Sequence, residues 1–145
     1  MPASAVEYGT DGIMFARAYY HIGETEKGAD LIKSIVDRTY ANLDWYDRLT
    51  PRQLNSTMID VLYNVQYLLT IASVYQDFDL DRHQALTDDL LHRAESYYMI
   101  GATYLGDEIA KEVANNSIRN YFRYENDSVQ KSIIDDNLQY SLQRS

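Results

Sequence analysis

Apolar residues recur at three- and four-residue spacing along most of this 145-residue chain. This is the period of an amphipathic α-helix, whose apolar stripe must pack against a neighbouring element. Alternating Val, Ile and Thr runs joined by Asn-Gly or Asp-Gly turns, which indicate β-hairpins, do not occur in the sequence. The pattern therefore predicts an all-α fold of five to six antiparallel helices.

Several predicted helices have recognisable ends. The first extends from about Gly12 to Ile22 and ends at Gly23, because glycine readily adopts the left-handed conformation after a helix. The third begins with Thr50-Pro51-Arg52-Gln53, a capping box with proline at the first helical position. This third helix is predicted to be long and central, with four core leucine and valine residues: Leu62, Val65, Leu68 and Leu69.

The remaining helices complete a single domain. A fourth helix carries Tyr97 and Gly101 on its apolar face and is expected to end at Gly106-Asp107. Further helices are expected at about residues 108–124 and 128–142. Residues 11–145 are thus predicted to form one helical domain, preceded by residues 1–10, which are either disordered or foreign to the natural protein.

The overall charge and composition exclude several classes of function. The formal net charge is −9, from 22 acidic and 13 basic residues, which disfavours binding to nucleic acid. There is no cysteine, so disulfides and thiolate metal sites are excluded. The longest apolar run, residues 67–75, is far shorter than the roughly 20 residues that cross a bilayer. No membrane insertion by this segment is expected.

Three aspartates suggest a calcium loop, but the match is incomplete. Asp77, Asp79 and Asp81 occupy the first, third and fifth positions of such a loop. The glycine needed for its sharp turn is replaced by Arg82, and Asp88 stands where a bidentate glutamate belongs. The alternative is that these acids cap the following helix and interact with its dipole.

The histidines do not form a recognised metal or catalytic motif. Asp89-Leu-Leu-His92 is the nearest approach to the paired Glu-x-x-His motifs of a di-iron bundle, and it occurs once. His21 is expected to interact with free carbonyl groups at a helix end. A nucleophile elbow and a glycine-rich phosphate loop are also missing from the sequence. The sequence predicts a protein that is not an enzyme and that holds no metal or cofactor.

One short stretch, "ARAYYHIGETEKGADLIKSIV", resembles the helix-turn-helix unit of tetratricopeptide repeats. Small residues there would let two antiparallel helices approach closely. The similarity to the repeat fails at Ile35 and, on either side of the stretch, at Gly12 and Tyr40. A second, weaker similarity to the repeat lies around Gly106. Gly106 is 83 positions after Gly23, which is not a multiple of the roughly 34-residue repeat. The resemblance implies one or two tetratricopeptide-like hairpins and not a regular tandem array.

A broader resemblance covers most of the chain. The succession "GIMFARAYYHIGETEKGADLI", "LDWYDRLTPRQL", a long helix and "YLGDEIAKEVAN" is similar to the soluble C-terminal helical region of a bacterial family of multi-pass membrane proteins of unknown function. The membrane part of that family resembles protein O-mannosyltransferases. The resemblance implies an accessory domain of a larger membrane protein, on the periplasmic face, with any transferase chemistry elsewhere.

The 14 tyrosines are the strongest compositional bias in the sequence. Tyrosine has a rigid apolar face and a polar tip, so it is common both at interfaces and between packed helices. The densest group is predicted to bind a protein or peptide partner: Tyr19, Tyr20, Tyr40, Trp45 and Tyr46. Three functions stay open, namely an interaction domain, a spacer or lid for a membrane glycosyltransferase-like enzyme, and a small-molecule or sugar-binding domain.

Overall fold

The computed structural model describes residues 9–117, and this part of the chain is helical with no strand. The chain divides after Val113 into two units, and the account below concerns the first. The all-α prediction is confirmed. The helices are α1 (Gly9–His21), α2 (Thr25–Tyr46), α3 (Pro51–Ser56), α4 (Met58–Phe78), α5 (Leu80–Met99) and α6 (residues 103–117). The helix predicted at residues 128–142 and residues 1–8 lie outside the described range.

The central helix is α4, which contacts α1, α2, α3 and α5. Its Val61, Val65, Leu68 and Ile71 are fully buried, and Leu69 is buried as well. Leu62 is only partly buried and packs against the edge of the core. The prediction for Val65, Leu68 and Leu69 is therefore confirmed, while Leu62 lies at the margin of the core.

The predicted third helix is two helices in the structure. Its capping box is present: the Gln53 backbone N–H donates to Thr50 Oγ1 at 3.2 Å, and the Thr50 N–H donates to Gln53 Oε1 at 3.0 Å. The helix breaks at Thr57, whose hydroxyl donates to the Gln53 carbonyl oxygen. Short polar side chains that bond to the backbone in this way compete with helix geometry.

The predicted end of the fourth helix at Gly106 is wrong. Helix α5 ends at Met99, and Gly101 takes the left-handed conformation with a φ of +102°. Gly106 instead lies inside α6, where a Cβ would be 2.6 Å from the carbonyl oxygen of Ala94. Glycine is needed there because the α5 and α6 backbones almost touch.

The α1–α2 and α5–α6 hairpins are built from matching residues. Residues 16–28 are "ARAYYHIGETEKG" and residues 94–106 are "AESYYMIGATYLG", an offset of 78 positions. In both hairpins the turn glycine, Gly23 or Gly101, has a positive φ and donates to the carbonyl of the second tyrosine. The next residue donates to the first tyrosine, which completes a Schellman motif. The chain thus contains an internal repeat.

The second glycine of each hairpin sets the distance between its helices. At Gly28 a Cβ would lie 3.0 Å from the Ala16 carbonyl oxygen and 3.0 Å from the Tyr20 ring. At Gly106 the corresponding neighbours are Ala94 and the backbone nitrogen and Cβ of Tyr98. The two crossings use the same three positions of the repeat, and the second is tighter.

None of the helices between residues 9 and 117 combines the length and the apolar character that a membrane span requires.

We predict that Leu68→Ala lowers the free energy of unfolding by about 2–5 kcal/mol, because it removes a fully buried side chain and leaves a cavity. The matched control is Leu80→Ala, since Leu80 is 67% exposed. Urea unfolding monitored by circular dichroism measures both. Equal stability of the two variants would show that α4 is not the core helix.

We predict that Gly106→Ala destabilises the protein by about 1–3 kcal/mol, since the new Cβ meets backbone atoms that cannot rotate away. Gly28→Ala should cost less, because its neighbours are about 3.0 Å away and one is a tyrosine ring. Helix propensity alone favours alanine over glycine by about 1 kcal/mol. Stabilisation by Gly106→Ala in urea unfolding would therefore contradict the close crossing.

Candidate functional site

Helices α2 and α5 both pack on α4. Polar side chains of α2 and α5 also bond directly to each other. On α5, Asp89, Arg93 and Tyr97 follow one another at four-residue intervals and so share one face. Tyr40 and Asp44 are likewise four apart on α2, and Asp47 is its C-terminal cap residue. Each polar row therefore lies along one face of its helix, and these two faces meet in the structure.

Arg93 lies at the centre of this polar network. Its Nη1 donates to Asp47 Oδ2 at 2.7 Å, and its Nη2 lies 3.6 Å from Asp44 Oδ1. The Arg93 side chain is only 15% exposed. The Tyr97 hydroxyl donates to the other oxygen of Asp47. Asp47 thus joins two α5 side chains to the end of α2.

A second connection lies one helical turn away. The Tyr40 hydroxyl donates to Asp89 Oδ2 at 2.5 Å. The guanidinium carbon of Arg93 is 5.8 Å from the centre of the Tyr40 ring, a distance suited to a cation–π contact. The two connections share Arg93, so the side chains on both helices hold each other in place.

The surroundings keep Tyr40, Arg93 and Tyr97 each in a single protonation state. Burial, together with the hydrogen bond donated to Asp89, raises the pKa of Tyr40 well above its usual value. Burial and the bond donated to Asp47 do the same to the pKa of Tyr97. Burial lowers the pKa of Arg93, but its partners Tyr97 and Asp47 more than offset this. At neutral pH both phenols remain donors and the guanidinium remains charged.

A cleft of about 270 Å³ opens beside this network. Its lining includes the carboxylates of Asp47 and Asp89 and the guanidinium of Arg93, so acidic groups outnumber the permanently charged base. One wall is apolar because Ile100 lies at the end of α5. The lining residues are Asp47, Asp89, His92, Arg93, Ser96, Tyr97 and Ile100.

The five aromatic residues predicted to bind a partner are divided among separate contacts. Tyr40 belongs to the network beside the cleft. Tyr20 is buried and stacks on Phe78, with ring centres 5.1 Å apart. Trp45 packs edge-to-face on the buried Tyr46, and Tyr19 is half-buried. That these residues bind a partner stays a prediction.

The sequence interpretation missed Asp47, Arg93 and Ser96. The available signal was the Asp89, Arg93, Tyr97 row, in which polar residues at four-residue spacing lie next to the apolar stripe of the same helix. A polar row beside a core stripe indicates a partly buried network and not a solvated face.

The aspartates of the incomplete calcium loop have separate roles. Asp79 caps α5 by accepting from the Arg82 backbone N–H at 3.2 Å, which confirms the capping interpretation for this residue. Asp77 instead pairs with Arg17 at 2.6 Å. Within residues 9–117 there is no group of three or more acidic or histidine side chains placed to hold a metal ion.

None of the protein-family models, curated proteins or solved structures compared with this chain matches it. The candidate site is therefore defined by its own geometry.

We predict that Asp47→Asn lowers the free energy of unfolding by about 1–3 kcal/mol, because it weakens the hydrogen bonds of two shielded side chains, Arg93 and Tyr97. The matched control is Asp37→Asn: the Lys33–Asp37 pair has the same 2.7 Å separation but is exposed. That control should cost much less, because solvent screens an exposed pair. Equal losses in urea unfolding would contradict the burial argument.

Proposed function

We propose that this chain is a non-catalytic helical interaction domain that binds a segment of a partner protein in the cleft between α2 and α5. The observation that carries the proposal is the preorganised network of Tyr40, Asp47, Asp89, Arg93 and Tyr97 at that cleft. Side chains that are already held in place lose little conformational entropy on binding, which favours affinity.

The size of the cleft favours one inserted side chain. Sites for whole small molecules typically enclose about 300–1,000 Å³, and this cleft has about 270 Å³. A peptide can insert one side chain there while its backbone stays on the surface. Asp89, Ser96 and Ile100 are also exposed, so the cleft is open along the surface, which suits a peptide better than an enclosed small molecule or sugar.

The charge of the cleft favours a basic side chain. Arg93 already pairs with Asp47, whereas Asp89 accepts only the neutral Tyr40 hydroxyl among the bonds described for it. A lysine or arginine of the partner would form an ion pair with Asp89. The net charge of −9 would also steer a basic segment toward the protein.

The resemblances described above agree with this proposal. Tetratricopeptide-like hairpins commonly present concave binding surfaces. The similarity to the C-terminal region of a bacterial membrane-protein family suggests an accessory domain of a larger membrane protein, on the periplasmic face. In that setting the cleft would recruit a partner to the membrane enzyme, and a spacer or lid would need no such cleft.

The test is a selection of random peptides displayed on phage against the immobilised protein, followed by affinity measurement. We expect the selected peptides to carry a lysine or arginine. Ser96→Trp, which fills the cleft, should weaken their binding at least about fivefold, the loss typical of an interface anchor. Ser34→Trp, at an exposed serine of α2 outside the cleft, should leave binding unchanged.

Two results would contradict the proposal. One is a selection that yields no peptide with saturable binding. The other is a set of peptides that bind Ser96→Trp as tightly as they bind the original protein.

A further inference from the structure

The repeat places three equivalent residues on each of two helices. Ile13, Arg17 and Tyr20 on α1 correspond to Leu91, Glu95 and Tyr98 on α5, at the offset of 78 positions. Each set has the spacing i, i+4, i+7 and so forms one stripe along its helix. We call these sets the α1 stripe and the α5 stripe.

The last turn of α4 contacts two of the three residues of the α1 stripe. Ile13 and Tyr20 are 3% and 7% exposed, and Tyr20 stacks on Phe78 with ring planes 10° from parallel. Beside that stack, Arg17 Nη2 lies 2.6 Å from Asp77 Oδ2. An acidic residue followed directly by an aromatic residue is thus what this stripe binds.

The α5 stripe is open within the part of the chain that the structure describes. Leu91 is 44% exposed and Tyr98 is 51% exposed. Glu95 is exposed and forms no ion pair with any residue between 9 and 117. The backbone of α5 at this stripe matches the backbone of α1. Gly106 packs against Ala94 and Tyr98 in the same way that Gly28 packs against Ala16 and Tyr20.

The central charge of the two stripes is opposite. Arg17 on α1 is replaced by Glu95 on α5, while the tyrosine is the same and the aliphatic residue is similar. The aspartate of an Asp–Phe pair would be repelled by Glu95, and a basic residue in its place would be attracted. Asp88 is also exposed and stands three residues before Leu91, on the same face of α5, so it adds to the preference for a basic partner.

We infer that the α5 stripe is a docking site for a helix of a partner protein that carries a lysine or arginine directly followed by an aromatic residue. The aromatic ring stacks on Tyr98, the basic side chain pairs with Glu95, and Leu91 is covered by the next turn of the partner helix. This reproduces the contact between α1 and the end of α4 with the charges exchanged. The stripe and the cleft use different residues of α5, so a variant of one leaves the other intact.

The test uses two labelled helical peptides of about 16 residues in an alanine-rich host, long enough to hold a helix. One carries Arg–Phe at its centre and the other carries Asp–Phe, and fluorescence anisotropy measures their binding to the full chain. We expect the Arg–Phe peptide to bind at least about tenfold more tightly, because like charges at an interface are strongly unfavourable.

Variants of the stripe sharpen the test. Glu95→Arg should reverse the preference, and Glu95→Gln should abolish it. Tyr98→Ala should weaken binding of the Arg–Phe peptide at least about fivefold. Glu26→Arg and Tyr104→Ala are the matched controls, since both positions are exposed and lie outside the stripe, and they should change neither affinity.

Three results would overturn the inference. The first is no saturable binding of either peptide, and the second is a preference that Glu95→Arg does not alter. The third is a lower melting temperature or a smaller molecular mass in solution for Tyr98→Ala but not for Tyr104→Ala. That result would show that the stripe is already covered by the chain itself or by a second copy.

Discussion

The fold depends on two places where helix backbones meet without an intervening Cβ. A Cβ at Gly106 would lie 2.6 Å from the Ala94 carbonyl oxygen, and one at Gly28 would lie 3.0 Å from that of Ala16. The Schellman turns at Gly23 and Gly101 lie one helical turn before these crossings and set the direction of the second helix. Each hairpin is therefore a rigid pair, and the positions of its exposed side chains follow from its backbone.

The polar network between α2 and α5 serves specificity more than stability. The Arg93 side chain is 15% exposed and that of Asp47 is 39% exposed, so the attraction between them is offset by lost hydration and is screened by solvent. What Arg93, Asp47 and Tyr97 add is direction, since hydrogen bonds require particular atoms to meet. They hold the mouth of the cleft in one shape, which an apolar contact between the same helices would not do.

Local signals in the sequence predicted the helices and most of the core of α4, but not the pairing of the hairpins. The capping box at Thr50 and the stop at Gly23 depend on neighbouring residues, so the sequence was sufficient for both. Gly106 was misread as a helix end because a close crossing and a C-terminal glycine look alike in sequence. Aligning Gly101 with Gly23 would have resolved this, since the residues around them match. The cleft could not be predicted, because Asp47 and Arg93 are 46 positions apart and meet only through α4.

The opposite charges of Arg17 and Glu95 give the two stripes opposite preferences. The Asp77–Phe78 turn pairs with Arg17, and the same turn beside Glu95 would bring two carboxylates together. Within one chain that turn cannot reach Glu95, because α5 begins at Leu80 and Glu95 lies about 22 Å further along the helix. The charge reversal therefore acts between molecules, where it disfavours packing of the end of α4 from one copy on the α5 stripe of another. The same reversal leaves the second hairpin with a stripe that keeps the shape of a helix-binding surface and has the opposite preference for charge.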